Sequence, residues 1–172
     1  ALPILTQIPG LELHTPMTCI TFASRALCGN ILWNTIVLLI RSNECEDCAD
    51  ADIDEGIVLM GFQDGSLYGT IVTNGEPCKA SKMLQLNGSE PFLSLEILRG
   101  QTLEPKLMCI GTLGTITIID GSDKNDPIKV RMKRLPFHGR WCSFASVGYH
   151  KNLSDGSDIT MIGTDRKSTR LN

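Results

Sequence analysis

IVLMGFQDGSLYGTIV, from Ile57 to Val72, reads as two β-prone runs folded about a turn. Asp64-Gly65 separates the runs, and Asp-Gly tolerates the positive φ angles that tight hairpin turns require. A weaker copy follows at KLMCIGTLGTITIID, Lys106 to Asp120, and the start of a third at DITMIGTD, Asp158 to Asp165. Gly61, Gly111 and Gly163 close the first run of each copy, at a spacing of about 50 residues, which lies in the range of propeller blades. The spacing therefore predicts an all-β chain: a partial β-propeller of WD40-like blades of antiparallel strands, about three units over residues 1–164. Gly61, Asp64, Gly65, Gly111, Gly114 and Gly163 are the expected turn-setting residues.

Three such units do not close a ring, and an open array leaves sheet edges and apolar faces in water. The chain is therefore expected to be a fragment of a longer protein. Its 172 residues, 42% hydrophobic and 20% charged, match a globular composition, and a formal charge of −3 argues against a general affinity for nucleic acid. The odd set of seven cysteines and the lack of a basic, apolar leader predict reduced thiols in an intracellular protein.

Outward from the central stretch, the prolines at 3, 9 and 16 suit edge strands or connections, and Met17 to Leu27 fits a strand or a short helix equally well. Ile31 to Ile40 (ILWNTIVLLI) is nearly continuous in apolarity and rich in β-branched residues, which predicts a buried central strand; it is too short to span a membrane. Glu44 to Glu55 carries seven carboxylates in twelve residues and reads as a loop. From Gly88 to Gly100, Phe92, Ser94 and Glu96 alternate with Leu93, Leu95 and Ile97, the period of a strand that leads into the next Gly-closed run. Arg140 to His150 repeats that order ahead of the third. Along Asp126 to Arg134, Ile128, Val130 and Met132 alternate with Lys129, Arg131 and Lys133. With Arg134 these residues make a possible basic contact face, for which a solvated strand is the simpler account and direct nucleic-acid binding the less favoured one. The last octamer, DRKSTRLN from Asp165 to Asn172, matches the in-frame translation of a common sequencing adapter and is expected to be a non-native tail.

No enzyme signature emerges. Cys45 and Cys48 have the spacing of half a zinc site, but no second pair accompanies them and their acidic flanks disfavour a thiolate. Asp50, Asp52 and Asp54 alternate as in a calcium loop, yet Glu55 and Gly61 stand where glycine and a bidentate glutamate belong. His14, His138 and His150 are dispersed, and Ser66 lies in a turn with no nucleophile-elbow motif. The expectation is a non-enzyme with no catalytic, cofactor or metal residues. Trp33, Trp141, Tyr68 and Tyr149 are expected in the core.

The order GIVLMGFQDGSLYG, EPFLSLEILRG, KLMCIGTLGTITIID and RLPFHGRWCSFASVG, with RALCGN (Arg25 to Asn30) upstream, resembles the N-terminal propeller region of the hundred-kilodalton associated subunit of the Fanconi anaemia core complex. The resemblance spans roughly Arg25 to Gly163 and is closest at the Gly61 to Leu67 turn. It implies a nuclear, non-catalytic scaffold that assembles with the B subunit and the RING-type E3 subunit. The assembled complex monoubiquitinates its substrate in DNA interstrand crosslink repair. Asp-Gly turns of this kind also occur in unrelated propellers, so a WD40-like interaction module of trafficking or chromatin type remains the alternative.

Overall fold

The computed structural model describes residues 8–11, 15–41, 56–99, 104–123, 125–131, 145–151 and 158–164. These residues are mostly β, and every strand pairing is antiparallel. Sheet A contains β1 (Met17–Ala23), β2 (Gly56–Phe62), β3 (Ser66–Thr73), the two-residue β4 (Glu76–Pro77) and β5 (Ser81–Gln85), with β4 and β5 both on β3. Sheet B is a meander of β6 (Phe92–Leu98), β7 (Lys106–Gly111), β8 (Ile116–Ile119) and β9 (Ile128–Arg131). β10 (Ala145–Lys151) and β11 (Asp158–Thr164) form a separate hairpin. The described sheets stay open.

Between β1 and β2 the structure departs from the sequence reading. Ile31 to Ile40 is not a central strand but the greater part of helix α1 (Arg25–Arg41), which Gly29 breaks near its start with φ 68° and ψ 167°. Ser24 opens the helix: its side-chain oxygen accepts from the Leu27 N–H at 3.2 Å and its carbonyl from the Cys28 N–H at 3.0 Å. Cys28, Leu32, Trp33, Ile36, Val37 and Ile40 are buried, a spacing of three and four that only a helix places on one face. The near-continuous apolarity that suggested a strand has another cause. Ile40 touches Gly69 in sheet A, while Ile31 and Thr35 touch Gly121 just beyond β8 in sheet B, so the helix is wedged between two sheets. The Arg25 guanidinium sits 5.8 Å from the Trp33 ring centre.

Register shows how the two sheets are related. In sheet A, Gly61 pairs with Leu67 across the β2–β3 turn; in sheet B, Ile110 pairs with Ile116 across a β7–β8 turn of equal length. Met60 thus corresponds to Cys109 and Val58 to Leu107. The leading strands agree: β1 shifts register between Met17 and Cys19, β6 between Phe92 and Ser94, so Ile20 and Phe22 correspond to Leu95 and Ile97. The structural repeat is one residue out of step with the glycine repeat, since Gly111 corresponds to Phe62 and not to Gly61.

This correspondence fixes the sense of stacking. Ile57, Leu59, Leu67 and Ile71 of sheet A share one core with Leu95, Leu107, Cys109 and Ile119 of sheet B, with α1 between them. Leu98, Met108, Ile110 and Ile116, on the far face of sheet B, form a second cluster; Met60 and Phe62, on the far face of sheet A, form a third with Ile8 and Ala80. Equivalent faces point the same way, so the sheets stack head to tail. The leading strands sit side by side, β1 on β6 and β6 on β10. Away from them the gap between the sheets is filled by α1.

Candidate interaction surface

Two hairpin turns meet at one end of the stacked sheets. Asp64 sets the first: its carboxylate accepts from the Ser66 N–H at 3.0 Å and from the Ser66 hydroxyl, while the Gly65 N–H donates to the Phe62 carbonyl at 3.1 Å. Gly65 has φ +82°, and a Cβ there would lie 2.6 Å from the Glu90 carbonyl oxygen, so both conformation and space demand glycine. Gln85 donates from its side chain to the Asp64 carbonyl at 2.6 Å, and the Leu86 N–H donates to Gly65 at 2.8 Å. Burial alone would raise the Asp64 pKa, but the two hydrogen bonds from Ser66, with the Lys82 charge, outweigh it and hold the carboxyl below its ordinary value.

Glu90 joins this turn to the second one. Its side chain is only 4% exposed, and Oε1 accepts from the backbone N–H groups of Leu113 and Thr115 in the β7–β8 turn. Pro91 adds a carbonyl that accepts from the Thr112 N–H at 2.9 Å. Gly114 donates to the Gly111 carbonyl at 3.0 Å, and a side chain at Gly111 would run into the Glu90 carboxylate. Gly61 has a packing role of its own: a Cβ would come within 2.7 Å of Phe92 in the neighbouring sheet. The structure thus gathers Gly61, Asp64, Gly65, Gly111 and Gly114 around one junction. Gly163 lies apart from it, in β11 opposite Ser146.

Glu90 was not singled out from the sequence, although Glu-Pro ahead of an alternating strand was visible. A buried carboxylate shows itself only when the turn it caps, more than twenty residues away, folds back onto it.

Lys129 and Arg131 lie on β9, an edge strand of sheet B, opposite Ile118 and Ile116. Lys133 and Arg134 lie outside the described residues, as do the Glu44 to Glu55 stretch, the Cys45 and Cys48 pair, Trp141 and the terminal octamer. Tyr68 is half-buried against the Phe62 ring, edge to face at 5.5 Å, and Trp33 is buried on α1.

Among the described residues no group of three metal-ligating side chains comes together, and no helix is long and apolar enough to cross a membrane. Cys19, Cys28, Cys78 and Cys109 are free thiols. Burial pushes Cys19 up to about 11 against weaker opposing hydrogen bonds from Thr18 and Gly61, and pushes Cys28 up to about 11 against the Arg99 charge. Cys109 is raised further by burial and by neighbouring Cys19. All three are overwhelmingly thiols at neutral pH, poor nucleophiles and poor ligands.

What remains exposed and chemically distinctive is apolar. On β1, Ile20 is 54% and Phe22 56% exposed, on the face of sheet A that carries Val58 and Met60. Protein-family models, curated proteins and solved structures yield no match to the chain.

Proposed function

We propose that the chain is part of a β-propeller that works as a non-catalytic protein-interaction scaffold. In this reading sheets A and B are successive blades and β10–β11 begins a third. The observation that carries it is the head-to-tail stacking, with β1, β6 and β10 side by side. Radial arrays of blades are built this way, each leading strand lining the centre. Helix α1 is then an insertion between the first two strands of one blade, filling the outward widening of the wedge.

The more particular reading rests on the sequence resemblance: a nuclear subunit of the Fanconi anaemia core complex that meets the B subunit and the RING-type E3 and supports monoubiquitination in crosslink repair. The experiment is affinity purification of the tagged full-length transcript product from nuclear extract. Recovery of the E3 and B subunits is the expected result. A folded product that brings down neither, or brings down coat or chromatin proteins in their place, would sink the particular assignment and favour an unrelated WD40-like propeller.

A further inference from the structure

We propose that the free face of sheet A, centred on Ile20 and Phe22 of β1, docks another antiparallel sheet of the same repeat, supplied to the purified chain by a second copy. The inference rests on the head-to-tail stacking behind the propeller reading and not on any particular complex.

The structure already shows what covers such a face. By register, Ile20, Phe22, Val58, Met60 and Thr70 in sheet A occupy the places of Leu95, Ile97, Leu107, Cys109 and Ile119 in sheet B. In sheet B these positions lie against sheet A, and Leu95, Leu107, Cys109 and Ile119 are buried in the shared core. The covering surface is the opposite face of a sheet of the same kind. It has small residues at the close crossing, where Gly61 meets Phe92, and Leu59, Leu67 and Ile71 around them. Sheet A therefore presents outward the same type of surface that its own other face covers in sheet B.

Coverage of that outward face is partial. Ile8 and Ala80 close over Met60 and Phe62, while Ile20 and Phe22 are left more than half exposed. Among strands β1 to β8, whose burial is described, β1 is the one with two large apolar side chains so exposed, and they alternate as a docking face requires. Phe22 is already seated over Gly56, so the aromatic ring lies along the sheet and extends its apolar area. The partner face is of a different type from the one it meets, so the contact is heterologous, and each copy uses one face as donor and another as acceptor.

Sedimentation of the purified 172-residue chain over a range of concentrations tests this. Mass should rise with concentration. The double variant Ile20→Thr, Phe22→Thr places strand-favouring β-branched residues at both positions and should weaken association by at least about tenfold. Because both positions are exposed, its circular dichroism and unfolding midpoint should match the parent. Leu38→Ser removes a still more exposed apolar side chain from α1 and should leave association unchanged. Hydrogen exchange in the associated form should protect β1 and β2 together with β10 and β11 at the opposite end of the stack. A chain that stays monomeric at every concentration overturns the proposal. So does association that survives the double variant, or a symmetric dimer protected at β1 and β2 alone. None of these results touches recovery of the E3 from nuclear extract, so failure here is separable from failure of the assignment.

Discussion

Glu90 stands where two turns meet, and its carboxylate has little choice of partner. It is buried, it accepts from two backbone N–H groups of the β7–β8 turn, and its own carbonyl presses on Gly65. Removing the acceptor leaves those donors unpaired in a dry site, at a cost of about 1–3 kcal/mol. We expect Glu90→Ala to lose that much in urea unfolding and Glu90→Gln to lose less, because the amide oxygen still accepts. Equal losses in the two variants would mean that the packed volume matters and the hydrogen bonds do not. Asp64 gives a prediction in pH. Its folded pKa lies below the unfolded value, so the stability it contributes is present above the unfolded pKa and vanishes as pH falls through the folded one. The parent should therefore exceed Asp64→Asn in stability at neutral pH, by a modest margin because the site is largely solvated, and the difference should begin to shrink near the unfolded pKa of ~3.8 and vanish below the lower folded one. A difference that persists there would assign the effect to the geometry of the turn and not to its charge.

At the scale of elements, the hairpins were legible and the helix was not. Asp64-Gly65 between two runs specifies its turn locally, so Ile57 to Val72 folds as its sequence indicates. Ile31 to Ile40 carries apolar residues beyond the face its sheets bury, with Ile31 and Leu38 exposed, and that erases the periodicity by which a helix is usually told from a strand. A pair of substitutions separates the two readings. Ile36 and Leu38 would share a face in a strand; on α1 the first is buried and the second is 67% exposed. Ile36→Ala should cost about 2–5 kcal/mol, and Leu38→Ser should stay within about 0.5 kcal/mol of the parent. Comparable losses at both positions would restore the strand. Met17 to Leu27 was ambiguous because it holds both: β1 over Met17–Ala23, with apolar residues on both faces, and the start of α1 from Arg25.

For the molecule as a whole, the sequence repeat pointed to stacked sheets but misplaced their correspondence by one residue. Glycines are conspicuous in a sequence, yet Gly61 and Gly111 are glycines for different reasons, one to let Phe92 approach and the other to make room for Glu90. Correspondence is set by turn length and register, which no single residue displays. The same register makes α1 the element on which the cooperativity of the two sheets depends, since one core runs from Ile57 and Leu67 through Leu32 and Ile36 to Leu107 and Ile119. A truncation in the middle of that core withdraws contacts from both sheets at once. Leu32→Ala, at a cost of about 2–5 kcal/mol, should lower native-state hydrogen-exchange protection by the same free energy in peptides from β3 and from β7. Ile116→Ala, on the far face of sheet B, provides the contrast, because among the described residues its cluster is drawn from that sheet. If sheets A and B open as one unit, Ile116→Ala also lowers protection in β3; if each opens alone, β3 keeps its protection while β7 loses it. We expect the first pattern, because the helix leaves no apolar boundary between the sheets at which one can part from the other.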